Sequence, residues 1–105
     1  MAKEIINTVR IERTLKLGMA MLEELAEYAP EWDEMPDTEQ YTWYMDWEQF
    51  IFFLQDDLDA AYQSAQMTSQ QKVQYKELLS KLEEAAPTLK KLNLSQSPVL
   101  PAEVA

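Results

Sequence analysis

A chain of 105 residues and 12.3 kDa has room for one hydrophobic core, and 47% hydrophobic with 27% charged residues is the composition of a folded domain. It contains no Cys and no His, which removes disulfides, thiolate zinc sites, haem-His ligation, Cys nucleophiles and every Ser-His or Cys-His triad. Nineteen acids against nine bases leave a formal charge of -10, a balance that repels nucleic-acid phosphates and anionic membrane surfaces.

The densest apolar run, Phe50-Ile51-Phe52-Phe53-Leu54, stops at Gln55 and Asp56, far short of the roughly 20 residues a bilayer span requires. Arg10, Arg13 and Lys16 interrupt any signal-like apolar region, so no cleavable secretory signal is expected and cytoplasmic residence is inferred. The lack of Cys agrees with a reducing compartment without requiring one.

The single glycine is Gly18, and the five prolines stand at 30, 36, 87, 98 and 101, so two long proline-free stretches flank the Pro30 to Pro36 region. These stretches are rich in Leu, Glu, Ala, Met, Gln and Lys, which favours helix, and no alternating Val/Ile/Thr segment points to a sheet. In the first, Ile11, Leu15, Gly18, Leu22, Leu25, Ala26 and Ala29 recur at helical steps and predict an amphipathic helix ending near Pro30. Gly18 lies on that stripe, where it permits a close helix approach. Ile5, Ile6 and Val9 fall on another side of the same helix.

Pro30 to Pro36 reads as a connector, because each proline disfavours helix at the residue before it. Asp37 with Gln40 three residues on makes a variant capping box for a second helix. Its main stripe is Trp43, Tyr44, Trp47, Phe50, Ile51, Leu54, Leu58, Ala61, Tyr62 and Ala65, the strongest periodic signal in the chain. Thr68 with Gln71 is a second capping box, opening a third helix that buries Tyr75, Leu78, Leu79, Leu82, Ala85, Ala86 and Leu89. Pro87 sits inside this stripe, yet Leu89 stays in phase, which predicts a kink or tight restart near Pro87. After Asn93 periodicity is lost. The expected fold is all-α: an antiparallel three-helix bundle over residues 1–93, followed by a mobile C-terminal tail over 94–105.

Two features point towards function. First, no Lys or Arg occurs between Lys16 and Lys72, while thirteen of the nineteen acids do. Antiparallel packing sets Arg10, Arg13 and Lys16 near Asp56, Asp57 and Asp59, so that end is internally compensated. The opposite end, around Glu31, Asp33, Glu34, Asp37 and Glu39, has few cations to face and forms an acidic pole suited to steering a basic partner. The plain alternative is a solvated surface that maintains solubility.

Second, Tyr41, Met45 and Phe52 make a minor apolar line on the second helix, opposite its main stripe. One bundle core cannot bury both sides, and aromatic residues and Met are favoured in interface centres. A partner protein or a second copy of the chain is the expected cover, with Phe53 broadening the contact; the competing cover is the Ile5-Ile6 segment or the tail around Val99-Leu100. Trp32, among the connector acids, either staples the loop to the bundle or serves as a binding anchor.

No di-metal Glu-x-x-His pair, EF-hand register or Gly-rich phosphate loop is present, so no cofactor, metal site or enzymatic activity is expected. The function expected from the sequence is a non-catalytic protein-protein interaction module, an adaptor, regulator or assembly factor. The alternatives are a helical bundle that binds a small apolar ligand in its core and an acidic mimic of nucleic-acid charge that binds a basic protein.

Overall fold

A computed structural model describes residues 8–101, which are helical for most of their length and contain no strand. Helix α1 covers Thr8–Tyr28, and a 3-10 turn over Ala29–Glu34 leads to α2 at Asp37–Phe53. The backbone stays in the right-handed helical region through a π-helical turn, Leu54–Asp59, and into the short α3, Ala60–Gln63. These three segments therefore form one continuous rod. Helix α4, Ser69–Lys91, is the third rod.

Cross-rod contacts define the topology. Arg10 near the start of α1 pairs with Asp57 near the end of the second rod, while Trp43 near its start donates to Glu24 near the end of α1. The first two rods are thus antiparallel. Trp47 reaches the Ser95 carbonyl just beyond α4, and Tyr62 meets Tyr75 near its start, so the third rod is antiparallel to the second. Gln71 Nε2 donates to Thr8 Oγ1 at 2.9 Å, tying the beginnings of α1 and α4 together. The result is the up-down-up bundle that the short connections favour.

One apolar cluster fills the interior: Ile11, Leu15, Met21 and Leu25 from α1, Trp43, Trp47, Phe50, Leu54, Leu58 and Ala61 from the second rod, and Tyr75, Leu78, Leu79, Leu82 and Leu89 from α4. Gly18 lies where the three rods meet. A Cβ built there would stand 2.8 Å from Phe50 Cε1 and Cζ and 2.9 Å from Leu78 Cδ1, closer than carbon atoms tolerate. The missing side chain lets the Phe50 ring and Leu78 close against the α1 backbone. On α1, Thr14 and Met21 occupy buried positions while Ala26 is exposed, a small rotation of the expected stripe.

The capping chemistry divides. Thr68 and Gln71 form the expected reciprocal box: Thr68 Oγ1 accepts from the Gln71 amide at 3.1 Å, and Gln71 Oε1 accepts from the Thr68 amide at 3.0 Å. Asp37 and Gln40 do not form one. Pro36 is the cap residue, its carbonyl accepting from the Glu39 and Gln40 amides at 3.0 Å, and Asp37 is the first helical residue. The Gln40 side-chain amide instead donates to the carbonyls of Trp32 and Met35, fastening the connector to α2.

Two further expectations are corrected and a third, the kink or restart at Pro87, is narrowed. Tyr44 and Ala65, assigned to the main stripe, are exposed; Ala65 has φ 58° and lies just past the end of α3, where the Gln66 amide bonds back to the Ala61 carbonyl at 2.8 Å. Pro87 causes no restart, since α4 runs unbroken from Ser69 to Lys91 with Leu89 buried. Pro87 and Glu83 are both exposed, so water can reach the carbonyl that the missing N–H leaves without its helical donor.

Residues 94–101, the described part of the expected tail, lie on the bundle. Leu94 and Val99 are buried, and Ser95 receives the Trp47 indole N–H at 2.7 Å while its hydroxyl donates to the Glu48 carboxylate. A buried indole N–H needs an acceptor, and the helix backbone offers it none, so the chain beyond α4 supplies one. Ile5, Ile6 and residues 102–105 lie outside the described residues.

Candidate functional site

The second rod carries apolar residues on both sides, and the structure treats them differently. On the inner side, Trp43 stacks on Trp47 at 5.5 Å between centroids, and Trp47 meets Phe50 at 5.4 Å. Trp47 and Phe50 are 0% exposed. On the outer side, Tyr41 is 64% exposed, Met45 48% and Phe52 61%. Tyr44 joins this outer group, its ring stacked on Tyr41 at 6.5 Å. Position at the edge of the main stripe was the available signal for Tyr44, because edge residues turn outward when the neighbouring rods leave them uncovered.

Phe53 is half-buried, and its ring meets Phe52 edge-on at 6.0 Å, so it supports one end of the exposed group. Trp32 is elsewhere. It is half-buried against Trp43, with centroids 6.0 Å apart and planes at 80°, and its carbonyl accepts from Gln40. This geometry staples the connector onto the bundle. The segment 94–101 passes along the Trp47 and Glu48 side of α2, and none of the described residues covers Tyr41, Met45 or Phe52.

Helical spacing places acids within the exposed row. Asp37, Tyr41, Met45, Glu48, Phe52 and Asp56 follow one another at steps of three or four residues, so acidic and apolar groups share one face. From Tyr41 to Phe52 the row rises roughly 16 Å. Among the described residues, Asp37, Asp46, Glu48 and Asp56 are not paired with any Lys or Arg. The opposite behaviour occurs at Asp57, whose buried carboxylate is paired with the half-exposed Arg10. Among the described residues, the expected compensation at that end includes one ion pair, Arg10 with Asp57.

The connector acids Glu31, Asp33, Glu34, Asp37 and Glu39 are all exposed. Glu31 and Glu39 line an open groove of about 520 Å³ with Tyr28, Met35, Thr38, Thr42, Trp43 and Asp46. Thr42 is three residues before Met45, so the groove adjoins the apolar row on the helix surface. Another groove, about 610 Å³, runs between α1 and α4 over Leu15, Met19 and Ala20. Within the core, no buried side-chain polar atom among the described residues lacks a hydrogen-bond partner. Among the described residues no helix is long and apolar enough to cross a membrane.

Comparison with protein families, curated proteins and solved structures finds no match to this chain. Functional inference rests on the site itself.

Proposed function

We propose that this protein is a non-catalytic interaction module, an adaptor, regulator or assembly factor, whose binding face is the outer side of α2. The observation that carries this reading is the exposure of Tyr41, Met45 and Phe52 on a helix whose opposite side already supplies the bundle core. Covering a large apolar side chain contributes about 1.5–3 kcal/mol, so three on one rigid face give a partner a substantial anchor. The neighbouring acids of the connector act mainly on orientation and association rate, as rim charges do. The fully covered, closely packed rings of Trp47 and Phe50 do not favour an apolar-ligand chamber at that place.

The test is affinity capture from source cells with the wild-type chain and with a Tyr41→Glu/Phe52→Glu variant, at low and high salt. Circular dichroism and urea unfolding establish that both baits are folded. Proteins retained by the wild type, released by salt and lost from the variant support the reading. Retention that is equal for both baits would instead favour mimicry of nucleic-acid charge by the acidic pole, which has no use for Tyr41 or Phe52. A monomer that retains nothing at low salt would remove the reading altogether.

A further inference from the structure

Resting on the reading of the outer α2 face as a docking surface, we infer that its occupant is a basic amphipathic helix of another protein, not a second copy of this chain. The charge pattern of the face carries the choice. Asp37 precedes Tyr41, Glu48 stands between Met45 and Phe52, and Asp56 follows Phe52, each three or four residues from its apolar neighbour. No Lys or Arg lies between Lys16 and Lys72, so the whole second rod is without a cation. Among the described residues none of these three acids is ion-paired.

A symmetric pair of copies meeting through α2 would set this row against itself. Every acid would face either another acid or an apolar group, within the Debye length of about 8–10 Å at which charges still interact strongly. Acids brought together at an interface centre, with no cation to pair them, oppose association. A helix carrying Leu, Ile or Phe at three- and four-residue steps, flanked by Lys or Arg, meets the row differently. Its apolar side chains cover Tyr41, Met45 and Phe52, and its cations pair with the exposed Asp37 and Asp56 at the two ends of the row, while the half-buried Glu48 carboxylate, which accepts from the Ser95 hydroxyl, adds negative charge between them. A row of roughly 16 Å corresponds to about three helical turns, the scale of helix-in-groove recognition. The groove beside Thr42, bearing Glu31, Glu39 and Asp46, extends the same charge preference to the partner's flanking residues.

The probe is a helical Leu/Lys peptide of about 14 residues, long enough to span the row. Its controls are a scrambled peptide of the same composition and a Leu/Glu counterpart. Calorimetric titrations use the full chain and a Tyr41→Ser/Phe52→Ser variant, which removes apolar surface at constant charge. The Leu/Lys peptide should bind the wild type, weaken as salt rises from about 50 to about 300 mM, and lose at least about tenfold in affinity on the variant.

Asp37→Asn/Asp56→Asn should weaken the same peptide and flatten its salt dependence. Equal binding by the scrambled peptide, or by the variant, identifies general charge attraction and overturns the inference. Binding of the Leu/Glu peptide with comparable affinity also overturns it, while leaving α2 as a docking face. Sedimentation equilibrium that shows a dimer lost in Tyr41→Ser/Phe52→Ser makes a second copy the occupant and rejects the choice made here. If no peptide binds and the chain is monomeric, the basic-helix inference fails; the cellular capture above then decides separately whether the face binds a protein of other chemistry.

Discussion

The inner and outer flanks of the second rod are built from the same kinds of residue and meet opposite fates. Trp43, Trp47, Phe50 and Leu54 are buried between α1 and α4, whereas Tyr41, Met45 and Phe52 face outward. Residue type does not separate them: each flank has aromatics. What separates them is geometry, because two neighbouring rods can cover only one side of a third. The difference teaches that apolar content in a small bundle can exceed what its interior can absorb, and the surplus is where a functional reading begins.

The largest expected effect comes from asking each flank to give up an aromatic ring. Phe50→Ala should cost about 3–5 kcal/mol in urea unfolding, because the ring fills the junction against Gly18 and Trp47. Phe52→Ala should change stability by no more than about 0.5 kcal/mol. Similar losses for the two would erase the distinction between the flanks.

Gly18→Ala tests the tightness of the inner flank, since its methyl group would stand 2.8 Å from the Phe50 ring. Despite alanine's better helix propensity, overpacking should lower stability by about 1–3 kcal/mol. An increase in melting temperature would show that Phe50 and Leu78 yield easily.

Next in size is the ion pair at the compensated end. Arg10→Ala leaves the buried Asp57 carboxylate without its cation and should cost about 1–2 kcal/mol, below the full cost of breaking a buried pair because the guanidinium is half-exposed. Adding Asp57→Asn should recover part of that loss in the same unfolding assay. A double variant no more stable than the single would mean the pair contributes little.

The last of these effects is a gain. Ala65 holds φ 58°, a conformation that glycine adopts without a Cβ penalty, so Ala65→Gly should raise stability by about 1 kcal/mol. Because Ala65 lies past the end of α3, this change leaves both flanks intact and serves as a control for variants that alter them.

Much of the bundle is legible because helical periodicity and capping chemistry are local. The stripe through Tyr75, Leu78 and Leu82 and the Thr68/Gln71 box need only neighbours within a turn or two, and both are present in the structure. Gly18 is legible as a point of close approach, though the atoms that approach it come from Phe50 and Leu78, distant in sequence. The outer row is legible as an excess of apolar side chains over one core.

The remainder depends on tertiary contacts that leave no periodic trace. Gln40 looks like a cap partner for Asp37 until the Trp32 and Met35 carbonyls come within its reach. The segment at 94–101 has no helical pattern, and its order comes from the Trp47 indole, Glu48 and the burial of Leu94 and Val99. Trp32 resembles a binding anchor in sequence because only the fold brings Trp43 under it. The π-helical turn at Leu54–Asp59 likewise has no simple spacing signature: Leu54 and Leu58 keep to the stripe, but the burial of Asp57 beside them is not periodic.

The most direct measurement is hydroxyl-radical footprinting of the dilute, folded full chain, read residue by residue along the second rod. Bare outer side chains predict rapid modification of Tyr41, Met45 and Phe52, each corrected for its intrinsic reactivity, with Trp47 and Phe50 protected. Protection of Tyr41, Met45 and Phe52 to the level of Trp47, persisting on dilution, would mean that the chain covers its own outer flank and would contradict the account.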